Sequence, residues 1–452
     1  MEEYDLIVVG AGSGNSILDQ RFDSLKIALL DDGAHFGGTC LNYGCIPTKM
    51  LLRPATLAYQ AKHASKLGVH FSDPRIDWQK IRSRTFSTTD DISAAGLEYR
   101  LGCSNIDVYR ESYFFIDQRT LQSSSGHRIS GEKIVIAAGS RPRLFGIEPD
   151  NRLIYTSAEI MRIEQLPESL VILGGGVVAV EMATFFSGYG VDTTTVNRSE
   201  FLLSSFDTEV AKSLTAQVPW KHIGQERVQN VSKKDSSVEI ELSSGTRLLA
   251  QALLLAQGRV SNADKLRCRD VGFDIHSDGR LKTDKYQRLL ADNRPLDNVF
   301  ALGDVSDPNQ LKHIANHQAR IVGHNLLNGD MLASDLVPPA AAVFSEPQVA
   351  WVGTFPNNSI VVRGNYSDTA YGWAFGLRPD DAFVKLFIDK SGVLNGAFVI
   401  GPEASIIIQP LIQAVSLNLK VQGLARSQYW PHPAGTEVVE NALLKAEEFL
   451  RA

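Results

Sequence analysis

The chain has 452 residues, 44% hydrophobic and 21% charged, a composition that supports several buried cores and excludes wholesale disorder. Its 45 Lys and Arg against 51 Asp and Glu give a formal charge of −6 with no basic run, so it lacks the electrostatic footprint of a nucleic-acid or anionic-membrane binder. The start, Met1-Glu2-Glu3-Tyr4-Asp5, is acidic, and the longest apolar run, near residues 171–180, holds three glycines and stops at Glu181; these features predict a cytoplasmic protein without a membrane span.

Residues 4–9 (YDLIVV) form a continuous apolar run suited to a buried parallel strand. Gly10-Ala11-Gly12-Ser13-Gly14-Asn15 follows, then a predicted helix over 13–22 and a second strand over 26–30 that ends at Asp31. In such a unit the first glycine permits a tight turn. The second lets the backbone approach a pyrophosphate lying on the helix N-terminus, and an acid about 20 residues on takes the ribose hydroxyls. Asn15 occupies a position where Gly or Ala is usual.

Four cysteines, Cys40, Cys45, Cys103 and Cys268, are too few for a disulfide scaffold. Cys40 and Cys45 nevertheless lie close, in Gly37-Gly38-Thr39-Cys40-Leu41-Asn42-Tyr43-Gly44-Cys45-Ile46-Pro47-Thr48-Lys49. Five extended residues span about 17 Å, whereas bridged Cα atoms lie ~4.4–6.8 Å apart, so a bridge needs the chain to fold back, with Gly44 supplying the freedom. Pro47 is tolerated in a first helical turn, which puts Cys45 at a helix start, where the dipole favours thiolate. Lys49 then follows one turn later. A structural disulfide and half a zinc site are the alternatives; zinc needs two more ligands, and Cys103 and Cys268 show no such spacing. No metal is predicted.

The strand–glycine–helix–strand order returns 164 residues on: a strand over 170–173, Gly174-Gly175-Gly176, a helix over 177–189 and a strand over 192–196. This strand ends at Val196-Asn197-Arg198 without a carboxylate, and Arg198 suits a 2′-phosphate, favouring NADP over NAD. Two dinucleotide sites in one chain suggest a hydride donor and a flavin. Residues 299–304 predict a further buried strand ending in Gly303-Asp304, and Val337-Pro338-Pro339 opens a last region of strands (348–352, 382–387, 396–400) and helices (407–417, 436–451).

The chain resembles the pyridine nucleotide–disulfide oxidoreductases over essentially its whole length. The resemblance rests on both fingerprints, the thirteen-residue cysteine stretch, Ile136-Ala137-Ala138-Gly139, Glu181, Ala256-Gln257-Gly258-Arg259, Ala301-Leu302-Gly303-Asp304, and His432-Pro433 with Glu437. It implies an α/β fold of two Rossmann-like dinucleotide-binding domains plus a C-terminal α+β dimerisation domain. An FAD-binding domain would comprise 1–147 and 267–336, an NADPH-binding domain 148–266, and the dimerisation domain 337–452. Cofactor contacts are implied at Gly10, Gly12, Gly14, Asn15, Asp31, Gly38, Thr39, Lys49, Ala138, Gly139, Asp304, Leu311, Ala315, Gly174, Gly176, Ala179, Glu181, Arg198 and Gly258.

The resemblance also implies roles. Cys45 would be the flavin-proximal sulfur and Cys40 the thiol that attacks substrate. Lys49 would pair with Glu181 beside the flavin, and Asp304 would bond the FAD ribityl chain. His432 and Glu437 would be the acid–base pair that reaches the disulfide from the neighbouring subunit of a homodimer. Val177 stands where an aromatic gate is common, Ser204 where many NADPH-using members carry a second arginine, and Ser261 where proline is common. A C-terminal cysteine pair is lacking, which excludes a mercuric reductase, and Gln20 stands near where glutathione reductases carry an arginine.

Stretches 12–19, 311–317, 370–374 and 428–433 are similar to the mycothione-reducing members of the family, whose substrate is a sugar-rich disulfide. Tyr371, Trp373, Gln428 and Tyr429 suit such a ligand, and equally suit packing at a dimer interface. The rival activities are dihydrolipoamide dehydrogenase, running the other way with NAD, and a glutathione-type reductase. A rival of another class is a flavin-bearing interaction subunit without turnover of its own.

Overall fold

The computed structural model describes residues 1–335 and 338–451, so the boundary expected at 336/337 and the opening Val337 lie outside the described residues. Chain contacts divide it into two compact units, Met1–Thr48 with Arg82–Arg143 and Gly258–Leu336, and Lys49–Ile81 with Leu144–Gln257 and Val337–Ala452.

In the first unit, Glu2–Val9 is the centre of an eight-stranded sheet. Arg294–Ala301, Arg128–Ile136, Glu2–Val9, Ile27–Leu30 and Ile106–Tyr109 run parallel in that order. The register sets Leu6 beside Ile27 and Ile27 beside Ile106. The YDLIVV run is apolar on both faces because both faces are covered. Ile7, Val9, Ala28 and Leu30 point into one core, and Leu6, Val8, Ile27 and Leu29 into another. Arg288–Ala291, Tyr113–Phe115 and Thr120–Ser123 join as antiparallel additions.

The helix expected over 13–22 is not formed. Two short 3-10 turns, Gly14–Ile17 and Gln20–Phe22, take its place, with Leu18 extended between them. Asp19 adopts an extended conformation and caps the second turn by accepting the Arg21 N–H, as a short acidic side chain does in preference to continuing a helix. The guanidinium of Arg100 donates to the carbonyls of Asn15 and Leu18, which leaves those acceptors satisfied without an α-helical ladder.

The second unit carries the other parallel sheet, in the order Lys221–Ile223, Asp192–Val196, Ser169–Leu173, Ala252–Leu255, Ile154–Thr156. Val177–Gly188 is its glycine-led helix, almost wholly buried from Ala179 onward. A three-stranded antiparallel sheet, Val228–Lys234, Ser237–Leu242 and Arg247–Ala250, adds to it without a sequence signal having announced it. The last region is a five-stranded antiparallel sheet ordered Ala340–Val343, Gln348–Gly353, Leu394–Gly401, Phe383–Ile388, Ile360–Asn365. The helix Glu437–Arg451 packs on it, and Val438, Val439, Ala442, Leu443 and Ala446 enter the core at helical spacing. The α/β expectation, with two parallel-sheet nucleotide folds and a C-terminal α+β region, is met. Among the described residues no helix is long and apolar enough to cross a membrane.

Candidate functional site

The two glycine turns share one construction. Gly10 has φ of 107°, and a Cβ there would lie 2.3 Å from the Ala137 carbonyl oxygen; Gly174 has φ of 132°, and a Cβ there would lie 2.2 Å from that of Ala256. Each turn is pressed against the end of a neighbouring strand, which only glycine permits. Gly12 faces Gly38, whose Cβ would come within 2.7 Å of the Gly12 Cα. That close approach joins the first turn to the start of the cysteine segment.

Cys40 lies in the short helix Gly38–Asn42 and is half-buried; Cys45 is the first residue of the helix Cys45–His63 and is exposed. The fold-back required by the spacing occurs between them. Tyr43 donates its N–H to the Thr39 carbonyl at 2.8 Å, and a Cβ on Gly44 would sit 3.2 Å from the same oxygen. Residues 39 and 44 therefore touch, and so the cysteines that follow them are brought near one another. The helix places Lys49 one turn beyond Cys45.

Lys49 Nζ reaches Glu181 Oε1 and Oε2 at 2.8 and 2.7 Å. Glu181 stands on the glycine-led helix with its side chain only 7% exposed. Its Oε1 also accepts the Phe344 N–H at 3.1 Å, and the Phe344 ring lies 4.6 Å from the ammonium. A buried carboxylate held by an ammonium and a backbone donor is a fixed charge pair.

His432 Nδ1 and Glu437 Oε1 are 2.6 Å apart, and Glu437 Oε2 accepts the Ala434 N–H at 3.0 Å. The His432 side chain is 72% exposed while that of Glu437 is 16% exposed. The carboxylate is thus set in the protein and the imidazole it orients faces outward. Trp430 anchors the preceding loop through its Nε1 to the Ala425 carbonyl at 2.7 Å. Of the aromatic candidates, Trp373 and Tyr429 are exposed, Gln428 is exposed beside Tyr429, and the Tyr371 hydroxyl donates to the Glu403 carboxylate.

The remaining predicted contacts are placed as follows. Gly176 caps the helix Val177–Gly188 with no side-chain cap, and a Cβ on it would meet nothing within 4 Å. The helix N–H groups there are left for an anion, and Ala179 is buried one turn behind. Arg198 is exposed, with no hydrogen bond or ion pair to the described residues, whereas Asn197 is used internally, its amide donating to the Phe201 carbonyl at 3.1 Å.

Asp31 accepts from the Ala11 N–H at 3.4 Å, and Arg110 binds its other oxygen at 2.6 Å. Burial raises the Asp31 carboxyl above its ordinary value, and Arg110 opposes that rise. Asn15 turns its Oδ1 to Arg100 at 2.7 Å. Ala138 and Gly139 offer their carbonyls to Asn262 at 2.8 and 3.1 Å. Gly303, preceding Asp304, lies against Ala315, while Leu311 caps the helix Lys312–Leu327. The Gly258 carbonyl accepts the Arg143 N–H at 3.0 Å.

Arg110, Ser140 and Phe344 were given no role from sequence, and Arg259 was named there only within the Ala256-Gln257-Gly258-Arg259 motif; each has a partner distant in the chain. Among the described residues no cluster of His, Cys, Asp or Glu could hold a metal ion. The open glycine-capped helix, the unpartnered Arg198 and an Asp304 with one oxygen uncommitted fit a pair of dinucleotides.

Residues 4–320 match the pyridine nucleotide-disulphide oxidoreductase family, and residues 339–443 match the dimerisation domain of that family. The chain is 43% identical to a mycothione reductase of Mycobacterium tuberculosis, covering 98% of this chain and 99% of that protein. A dihydrolipoyl dehydrogenase of Geobacillus stearothermophilus is 28% identical over 97% of this chain and 95% of its own length. Among solved structures, an HOCl-induced flavoprotein disulfide reductase from Escherichia coli aligns with a TM-score of 0.82 at 23% identity, over 98% of this chain and 99% of that one, which shows the shared fold.

The chain belongs to the pyridine nucleotide–disulphide oxidoreductases. It is an enzyme of the NAD(P)H:disulfide oxidoreductase class, dependent on FAD, and carries the module through which its relatives dimerise.

Proposed function

We propose that this chain reduces mycothione to two molecules of mycothiol with electrons from NADPH, through FAD and a Cys40–Cys45 disulfide. The substrate reading is carried by the 43% identity to a mycothione reductase over nearly the full length of both chains. The NADPH reading is supported by the exposed Arg198 and by an Asn197 whose amide is engaged with Phe201. The same features weigh against a dihydrolipoamide dehydrogenase using NAD, for which a carboxylate at Asn197 would be expected.

When bound, FAD accepts an electron pair from the nicotinamide and delivers it to the disulfide. By the family resemblance, Lys49 and Glu181 would hold their charge pair beside it. Once the dithiol is formed, Cys40 attacks one sulfur of mycothione; the substrate S–S bond breaks and a mixed disulfide forms. His432 receives the thiol proton and gives it to the departing sulfur. Cys45 then attacks the Cys40 sulfur, the mixed disulfide breaks, and the second mycothiol leaves with the second thiol proton through the same imidazole. Two electrons and two protons pass from the dithiol to the substrate. Glu437 holds His432 through Nδ1 and leaves Nε2 for proton transfer.

By the family resemblance, His432 and Glu437 serve the cysteines of a partner copy, so the working unit is a homodimer with active sites shared between subunits. We place it in the cytoplasm, where thiol pools are kept reduced. Trp373, Gln428 and Tyr429 are exposed candidates for the sugar moiety.

The reading is tested with Cys40→Ser and Cys45→Ser holoenzymes. Each should retain FAD and still lose flavin absorbance on adding NADPH, yet reduce no mycothione. Mycothione turnover that survives Cys40→Ser would overturn the assigned chemistry.

A further inference from the structure

Tyr43 stands between the two cysteines, and the fold-back that brings them together runs through it, its N–H bonding the Thr39 carbonyl at 2.8 Å. Its side chain reaches back along the chain. The Tyr43 hydroxyl lies 2.8 Å from His35 Nδ1, and the two rings meet edge to face with centroids 5.7 Å apart. On the far side of the imidazole, His35 Nε2 lies 3.7 Å from Asp90 Oδ1, on the helix Trp78–Leu101. A carboxylate only accepts hydrogen bonds, so it favours the tautomer with its proton on Nε2. Nδ1 then accepts from the Tyr43 hydroxyl, with Asp90 behind the imidazole.

The preceding residue grips the same segment. Asn42 is fully buried, and its amide nitrogen donates to the carbonyls of Phe36, Gly38 and His35 at 2.9, 3.1 and 3.4 Å. Its Oδ1 has no partner, so the side chain is held by its donor end alone. The segment it grips is itself anchored: Phe36 is buried, and a Cβ on Gly96 of the helix Trp78–Leu101 would lie 3.5 Å from its ring. Two adjacent residues of the redox loop are thus tied to a fixed base, one by its amide and one by its phenol.

Closing a disulfide removes freedom from the reduced loop, and a loop already held in the closed geometry has less to lose. Opening the Cys40–Cys45 bond takes two electrons and two protons and yields two thiols. A clamp on the turn between them therefore favours the bridged form and makes the pair harder to reduce.

We propose that His35 and Tyr43 are positioning residues of the redox centre: their hydrogen bond, braced by Asp90, holds the turn between Cys40 and Cys45 and sets the balance between disulfide and dithiol. The proposal rests on the reading of the two cysteines as a redox pair. It gives His35 and Tyr43 a function that needs no contact of either with substrate.

The test equilibrates FAD-loaded enzyme with graded ratios of reduced to oxidised dithiothreitol, which supplies the electrons and protons. After acid quenching and alkylation, mass spectrometry counts the Cys40–Cys45 peptide as bridged or doubly alkylated. Tyr43→Phe keeps the ring and removes the hydroxyl. Loss of one hydrogen bond moves an equilibrium by roughly two- to tenfold. The disulfide equilibrium constant should therefore fall about fivefold, a rise of ~20 mV in a two-electron potential. His35→Leu removes the same bond from the other side, should show the same fall, and stands in if Tyr43→Phe does not fold. His35→Asn keeps an acceptor near the Nδ1 position and should keep most of the balance.

A balance that stays in place in Tyr43→Phe and His35→Leu, or that moves toward the disulfide, overturns the proposal, as does a fall in His35→Asn as large as that in His35→Leu. A parent that forms no Cys40–Cys45 disulfide even in fully oxidised dithiothreitol would instead sink the redox reading on which it rests.

Discussion

Lys49 Nζ is bound by both carboxylate oxygens of Glu181, at 2.8 and 2.7 Å, and the same carboxylate fixes the backbone of Phe344. The lysine is 36% exposed and the glutamate 7%, so the two partners are unequal. Lys49→Met strands a buried carboxylate and should lower unfolding stability by roughly 1–3 kcal/mol, less than a fully buried pair because the ammonium is partly solvated. Glu181→Gln keeps the shape, leaves the lysine a route to water, and should cost less. Urea unfolding of the two FAD-loaded variants checks the order; equal stability in both would contradict it.

His432 stands out in solvent while its partner Glu437 is set in the protein. His432→Gln should therefore leave stability within about 0.5 kcal/mol of the parent while lowering disulfide turnover by roughly 10²–10⁴-fold. Glu437→Gln keeps a hydrogen bond to Ala434 but loses the charge facing imidazole, and should lower turnover by less. NADPH-driven turnover and thermal unfolding, measured on the same preparations, separate the two effects. A His432→Gln enzyme that turns over normally would remove it from the acid–base role.

Glu346 lies against the cysteine helix, hydrogen-bonded to Thr56 and near Arg53 and Tyr59. Burial pushes its carboxyl up from 4.5 to about 7. Between those values the folded protein keeps a proton that the unfolded chain has released. Stability therefore falls as pH rises through this window and levels off above it. Glu346→Gln should match the parent at pH 4 and exceed it at pH 8 by about 3 kcal/mol. Stability curves that run parallel across the range would rule out this carboxyl as the cause.

Arg198 is exposed at the end of the second nucleotide strand with no protein partner among the described residues. Arg198→Ala should raise KM for NADPH about tenfold, the scale of one charge-assisted hydrogen bond, and leave KM for NADH and protein stability unchanged. An equal rise for both coenzymes would mean that Arg198 shapes the loop without reading the 2′-phosphate.

Much of this arrangement is legible in the chain because its signals are local. Continuous apolar runs gave the parallel strands, and each glycine turn announces a strand end pressed on its neighbour. The spacing of Cys40, Gly44, Cys45 and Pro47 contains both the fold-back and the helix start. The helix expected over 13–22 failed for a reason outside that window: Arg100, some 80 residues on, takes up the Asn15 and Leu18 carbonyls. The grip of Arg110 on Asp31, and of Arg259 and Ser140 on Asp304, is likewise invisible locally, since each joins residues brought together only by sheet order. The Lys49–Glu181 and His432–Glu437 pairs were reachable from family resemblance, and the structure supplies their geometry and unequal burial.

NADPH oxidation by the purified FAD-loaded protein, with mycothione, glutathione disulfide and lipoamide offered separately, distinguishes the rival activities. Turnover should be rapid with mycothione, slow with the other two, and weaker when NADH replaces NADPH. Indifference to mycothione, with lipoamide turned over using NADH, would contradict the substrate and coenzyme assignments together and leave only membership of the family standing.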